Sequence, residues 1–160
     1  MSSEITTSSP VNEAAVGEIA ANLNQVVADC YALMASTHLA HWNVEGTDFF
    51  QLHEAFQGQY EDLFSAIDDL AERVRALDEY AVGGIKTLSG MTKMDDMSAG
   101  SLPGKDMVAA LIEGHEVVMG GLFKTRKLAA ENGDAETEDV CIGRIEAHEK
   151  AVWMLKSYLK

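Results

Sequence analysis

Residues 41–77 read HWNVEGTDFFQLHEAFQGQYEDLFSAIDDLAERVRAL and contain the most regular helical pattern in the chain. Large apolar and aromatic side chains recur in it every three or four positions, which is the period of one face of an α-helix. They are Phe49, Leu52, Phe56, Tyr60, Leu63, Ile67, Leu70, Val74 and Leu77. Thr47 or Asp48 can cap the first turn of that helix. We therefore expect one long amphipathic helix that follows a turn at Glu45-Gly46 and stops before Gly83-Gly84.

The same period predicts three further long helices on either side of this one. Ser9-Pro10 reads as an N-cap followed by a first-turn proline, and the apolar pattern behind it runs to about Val44. A third helix is expected over residues 105–132, because Gly133 then stands where a glycine commonly ends a helix. Asp134 is expected to cap a fourth helix that continues to the terminus.

The second and third helices are separated by a long link, residues 83–104, which holds five glycines. The part of the link around residues 87–97 can form a short helix. Four long helices with one long crossover connection are typical of the ferritin-like bundle, and no segment has the alternating period of a strand. The predicted fold is therefore all-α: a ferritin-like four-helix bundle with a short helix in the link between helices 2 and 3.

Length and composition indicate one domain over residues 1–160, of which 1–9 form a short flexible tail. The chain has 160 residues and is 47% hydrophobic, which is enough for a single core. No apolar run approaches the roughly 18 to 20 residues that span a bilayer. The first residues also lack the basic start and apolar stretch of a secretory signal, so we expect no membrane and a cytoplasmic location.

The charge of the chain is strongly acidic, with 26 Asp and Glu against 12 Lys and Arg and a net of −14. No Lys or Arg precedes Arg73, so the N-terminus is not a basic arm. Such a surface repels nucleic acid and favours cations as partners. The two cysteines, Cys30 and Cys141, form no CxxC pair, and Cys30, which falls within a helical apolar pattern, is interpreted as a buried free thiol.

Two familiar metal motifs are absent from the sequence. Three His-Glu dipeptides begin at His53, His115 and His148, but none continues as HExxH. No glutamate has a histidine three residues later, although the di-iron centre inside a ferritin-like bundle uses that pair on two helices. A metalloprotease and a di-iron centre within one bundle are therefore both disfavoured.

One side of the second helix carries another set of potential metal ligands. At about 100° per residue, Gln57, Asp68, Glu61 and Glu72 lie at about 40°, 60°, 80° and 100° from His53. Asp68 and Glu72 are one turn apart, so both carboxylates can reach the same cation. Histidine with carboxylates suits Fe(II) with open positions. The alternative is a solvated acidic face with no ligand function.

His53 cannot meet Asp68 and Glu72 within one chain, because fifteen helical residues separate it from Asp68, or roughly 22 Å. A two-fold axis near residues 61–62 would place a second copy of this helix antiparallel to the first. His53 of each copy would then face the carboxylates of the other, giving two equal sites. His41, near the end of the first helix, can complete each site on the histidine side.

The stretch from His41 to Leu77 resembles the Dps family of mini-ferritins. The family pattern is HW-x-V-x-G, then F-x-x-LH-x-x-F, then Y, then D-x-x-AER, and each element is present; HEKAVWML at residues 148–155 also resembles the last helix of the family. This resemblance implies a hollow dodecamer, built from two-fold dimers, that oxidises Fe(II) with hydrogen peroxide and stores Fe(III) mineral. It implies His41 and His53 as iron ligands from one subunit, with Asp68 and Glu72 from its mate.

The resemblance also assigns secondary roles. It places Trp42 beside the iron site, and it puts Asp134 and Asp139 where the family often lines its entry pores with acids. Both acids can equally serve the positive N-terminal end of the last helix. Gln57 stands where many members carry an aspartate, so it and Glu61 are ligand candidates only. The family takes its name from DNA binding, but the acidic charge and the lack of a basic tail disfavour that alternative.

Overall fold

The computed structural model describes residues 10–98, 100 and 102–160, and helices account for its architecture. The elements are a short 3₁₀ turn Glu13–Ala15, α1 Val16–Asn43, α2 Phe49–Ala76, α3 Ile85–Met91, α4 Gly104–Glu131 and α5 Ala135–Tyr158. No strand occurs in these residues, and no helix among them combines the length and apolarity needed to cross a membrane. The predicted tail, 1–9, lies outside the described residues.

The four long helices enclose one apolar core, as the periodic pattern predicts. α1 packs against both α2 and α4, and α4 packs against α5, whereas α2 and α5 meet along a much looser seam. Leu23, Val26, Phe56, Leu70 and Leu111 are each fully buried in this core. The predicted ferritin-like bundle with a crossover after the second helix is confirmed.

Polar side chains on α1 hold the long link against the bundle. Asn24 donates to the Tyr80 carbonyl and accepts from the Val82 amide, both at 3.0 Å. Asp29 is buried and accepts from the Thr92 hydroxyl at 2.9 Å and from the Lys93 amide at 2.8 Å. These bonds satisfy the backbone of the link where no regular structure does so.

Some helix ends differ from the prediction, whereas the end of α2 agrees with it. The short helix of the link spans Ile85–Met91 rather than residues 87–97, while α2 ends at Ala76, before Gly83-Gly84 as predicted. The chain leaves α2 through Asp78, which has a left-handed φ of 63°. At the N-terminus, Asn12 caps the first turn by accepting from the Ala14 amide. Asp48 precedes α2, but its carboxylate accepts from the Tyr158 hydroxyl at 2.9 Å instead of capping the helix.

Candidate metal centre

Two histidines, one from the end of α1 and one from the start of α2, form a stacked pair. Nδ1 of His41 lies 2.8 Å from the carbonyl oxygen of His53, and Nδ1 of His53 lies 2.8 Å from the carbonyl oxygen of His41. The ring centroids are 3.7 Å apart with an interplanar angle of 17°. A carbonyl can only accept, so each Nδ1 carries the hydrogen and each Nε2 keeps its lone pair. Both imidazoles are thus fixed in the tautomer that binds metal through Nε2.

The turn between the helices makes this pairing geometrically possible. The amide of Val44 donates to the Ala40 carbonyl at 2.9 Å and closes α1. Gly46 follows with a φ of 101°, a conformation that L side chains rarely adopt, and its carbonyl accepts from the Phe49 amide. This tight reversal brings the last turn of α1 alongside the first turn of α2. The positive φ at position 46 therefore accounts for the glycine of the HW-x-V-x-G motif.

Aromatic rings surround the histidine pair. The helical period predicts two of them, Phe49 and Tyr60, as members of the apolar stripe and indicates no role for them at the site. Phe49 stacks on His53 at 4.9 Å, and Tyr60 packs edge-on against His41 at 5.2 Å. Their positions four residues before and seven residues after His53 on α2 were the available signal. These contacts restrict the rotation of both imidazoles.

Trp42 reaches the histidine pair through two intermediate rings. It is 68% exposed and stacks on His38 with a centroid distance of 5.2 Å. His38 in turn lies 4.1 Å from the Tyr60 ring, which contacts His41. Burial, together with the neighbouring His41, lowers the pKa of His38. His38 is therefore part of the ring cluster around the site.

The carboxylates predicted as ligands lie far along α2 from the histidines. Asp68 and Glu72 are exposed, and neither makes a hydrogen bond or an ion pair with the residues that the structure describes. Among those same residues, no three His, Cys, Asp or Glu side chains are grouped so that they could hold a metal ion. One chain thus brings His41 and His53 together but not the carboxylates.

Gln57 and Glu61 are linked to each other on the face of α2 between the two halves of the predicted set. The amide nitrogen of Gln57 donates to the Glu61 carboxylate at 2.8 Å. The amide oxygen of Gln57 takes no part in this bond, so it can still act as a metal ligand. Phe64, 72% exposed, lies at about 20° from His53 and therefore on the same side of the helix.

Asp134 and Asp139, both predicted at a pore, occupy different environments. Asp134 is fully buried, where it pairs with Arg73 at 2.8 Å and accepts from the Thr137 amide at 3.0 Å and its hydroxyl at 2.6 Å. This is the helix-capping role, and the carboxylate is not accessible to an entering ion in this chain. Asp139 is exposed, so a pore role remains a prediction for that residue alone.

Comparison with known proteins agrees with the fold. Residues 20–160 match the family model of the ferritin-like domain. A low temperature-induced protein of Nostoc sp. is 36% identical over 86% of this chain and 78% of its own. DNA protection during starvation protein 2 of Bacillus anthracis is 32% identical over 86% and 93%. The Dps structure from Vibrio cholerae superposes with a TM-score of 0.90 at 29% identity, covering 94% of both chains, and is described as a ferritin-like diiron-carboxylate protein.

The family model defines the class as ferritin-like, since it matches most of the chain. Within that class, the chain belongs to the Dps family. The resemblance first recognised in residues 41–77 is therefore confirmed.

Proposed function

We propose that this protein oxidises Fe(II) at sites shared between two copies of the chain and stores the Fe(III) product inside an oligomeric shell. The observation that carries the proposal is the stacked pair of His41 and His53, with both Nε2 lone pairs free. Within the part of the chain that the structure describes, no third side chain joins them as a metal ligand. Two imidazole nitrogens begin a site for Fe(II) but do not complete one. The Vibrio cholerae relative is described as a diiron-carboxylate protein, which supports iron as the metal.

The missing ligands are available on a second copy. Asp68 and Glu72 are exposed, unpaired within the described chain and one helical turn apart. If two copies of α2 cross antiparallel about an axis near residues 61–62, His53 of one faces these carboxylates of the other. The symmetry produces two equal sites, because the same surface is used on both copies.

An exposed apolar side chain lies where this axis would pass. Phe64, close to residues 61–62, is 72% exposed, and Phe50, in the first turn of α2, is 80% exposed. Exposure of two large apolar side chains to water is unfavourable, and a contact between two copies of α2 would cover both. The same sector of the helix therefore carries the proposed ligands and an apolar surface for their partner.

The chemistry follows from the charge of the ligands. Two Fe(II) ions each give one electron to hydrogen peroxide. The O–O bond breaks, and the two oxygen atoms take up two protons from solution to give two waters. Fe(III) carries one more positive charge than Fe(II), so Asp68 and Glu72 stabilise the product more than the reactant. The neutral imidazoles hold the ion without adding repulsion. Gln57 and Glu61 would contribute a weaker second position, since the Glu61 carboxylate already accepts from the Gln57 amide.

The Dps family membership supports a dodecameric shell of about 208 kDa, from twelve chains of 17.3 kDa. Such a shell would carry about 168 negative formal charges, from 12 × 14. That charge attracts Fe(II) and repels DNA, whose binding depends on cationic contacts to phosphate. Several relatives are named for DNA protection, so we expect protection here to act through iron removal rather than through DNA binding. A gel shift without divalent cations should detect no complex.

Steady-state oxidation by single variants tests the proposal. His53→Ala and Asp68→Ala should each lose fast Fe(II) oxidation by peroxide, with a stoichiometry in the wild type of two Fe(II) per peroxide. Asp69→Ala is the matched control, because Asp69 is an exposed neighbour that lies outside the ligand sector. Light scattering should find all three assembled. Wild-type rates in an assembled His53→Ala protein would refute the proposed site.

A further inference from the structure

The loose seam between α2 and α5 contains a cleft that the iron chemistry does not use. Its volume is about 590 Å³, a size common for small-molecule sites. Leu52 and Ala55 of α2 line one side, and Ala151, Met154 and Leu155 of α5 line the other. Because these α2 residues face away from the His53 sector, the cleft is separate from the proposed iron site.

A buried histidine pair forms the floor of the cleft. Nδ1 of His115 lies 2.8 Å from Nδ1 of His148, and Nε2 of His115 lies 3.3 Å from the side-chain oxygen of Gln59. The Gln59 oxygen can only accept, so His115 carries its hydrogen on Nε2 and accepts at Nδ1 from His148. This order of hydrogens leaves Nε2 of His148 as a bare lone pair.

That lone pair has no partner in the described chain. His148 is 1% exposed, and its Nε2 is buried without a hydrogen bond. Burial, with the neighbouring His115 and Arg144, lowers the pKa of His148 to about 3, so the nitrogen stays an acceptor at neutral pH. A buried acceptor without a partner is unfavourable, and a ligand that supplies a donor removes that penalty.

A second unsatisfied atom, of opposite character, lies one helical turn away. Arg144 holds Asp62 through two hydrogen bonds, at 2.7 and 3.2 Å, across the seam. Its remaining nitrogen, Nε, is buried without a partner, and its hydrogen is a donor. Both Arg144 and His148 line the cleft. A hydroxyl group is donor and acceptor at once, so its chemistry matches this pair of atoms.

We propose that the cleft between α2 and α5 binds a small neutral molecule that carries a hydroxyl group on an apolar body. The hydroxyl hydrogen is donated to Nε2 of His148, its oxygen accepts from Nε of Arg144, and the apolar body covers Leu52, Ala55 and Met154. A carboxylate is excluded, because it has no hydrogen to give the histidine lone pair. A hydrocarbon fills the volume but leaves both polar atoms unsatisfied.

Three ligands of matched size test this on the assembled wild-type protein: phenol, toluene and benzoate. Ligand-observed NMR titration should find saturable phenol binding with a Kd below about 1 mM. Toluene should bind about tenfold more weakly, since it lacks the hydrogen bonds. Benzoate should not displace bound phenol. Equal affinity for toluene, or tight benzoate binding, would overturn the proposed recognition.

Two variants locate the site. Gly58 lines the cleft, and a Cβ added there meets nothing within 4 Å, so Gly58→Leu fills the cleft without a clash at the backbone. Gly120→Leu is the matched control, at an equally open helical glycine that does not line the cleft. Phenol binding should be lost in Gly58→Leu and kept in Gly120→Leu. Light scattering should show that both variants are assembled.

His148→Gln should weaken phenol at least about tenfold while leaving toluene unchanged. Phenol that fails to saturate the wild type, as in a cleft filled by a neighbouring subunit, would contradict the proposal. Unchanged phenol binding by Gly58→Leu would do so as well.

Discussion

Replacing Asp134 with alanine should destabilise the protein far more than replacing the exposed Asp139 on the same helix. The carboxylate is fully buried and satisfies three groups: the guanidinium of Arg73, and the amide and hydroxyl of Thr137. Loss of an N-cap costs about 1 kcal/mol. Removing one partner of a buried ion pair costs about 3 to 5 kcal/mol, because the other charge is left unpaired. The side chain of Arg73 is only 14% exposed, so water cannot fully replace the carboxylate.

The two costs overlap at one residue, so the total should be about 3 to 5 kcal/mol. For a chain of this length, each kcal/mol lowers the melting temperature by about 2 to 4 °C, which predicts a decrease of roughly 6 to 20 °C. Asp134→Asn should lie between wild type and alanine, since asparagine still caps a helix but carries no charge. Scanning calorimetry at one protein concentration and one scan rate measures the effect, because assembly makes the transition concentration-dependent.

Asp139→Ala is the control, because Asp139 is exposed on the same helix and should change stability by less than about 0.5 kcal/mol. If Asp134→Ala melts no lower than Asp139→Ala, the buried network around Asp134 does not hold the start of α5.

Three further results are expected. Asp139→Asn should slow iron uptake while leaving assembly and melting unchanged; uptake at the wild-type rate would leave Asp139 without a pore role. Burial raises the pKa of the Cys30 and Cys141 thiols to about 12, so iodoacetamide at pH 8 should label neither in the native protein and both in urea; rapid native labelling would contradict their burial. Burial lowers the pKa of His115 to about 4 and of His148 to about 3 from 6.5 in the unfolded chain. The unfolded state therefore takes up protons first, so the urea midpoint should fall as the pH drops from 6.5 to 4, and a constant midpoint would contradict the neutral pair.

The sequence predicted those parts of the fold that local physics determines. The period of α2 is carried by side chains that are buried in the core, and Asp134 caps α5 because its carboxylate reaches the Thr137 amide within one turn. α2 ends before Gly83-Gly84, as predicted, but the cause of its end was not predictable, because Asp78 turns the chain out of the helix with a left-handed φ although it is not a glycine. The short link helix was misplaced because bonds to Asn24 and Asp29 fix the link from a distant part of the chain.

Of the predicted ligands, one chain brings only His41 and His53 together, and the geometry of that pair was not predictable. Motif and helical sector identified His41 and His53, yet their reciprocal bonds to each other's carbonyls depend on how α1 and α2 meet after Gly46. The pairing of His115 with His148 was not predictable, because 33 residues separate them and only tertiary packing brings them into contact.

Mixing two inactive variants reveals whether the ligands meet across two chains. A His53→Ala chain and an Asp68→Ala/Glu72→Ala chain should each lose fast Fe(II) oxidation. After reassembly from an equal mixture, about half of the dimers contain one of each and regain one of their two sites, so roughly a quarter of the wild-type sites should recover. Native mass spectrometry of the dimers confirms the mixing. If mixed dimers form and peroxide-driven oxidation does not recover, the histidines and the carboxylates do not belong to one shared site.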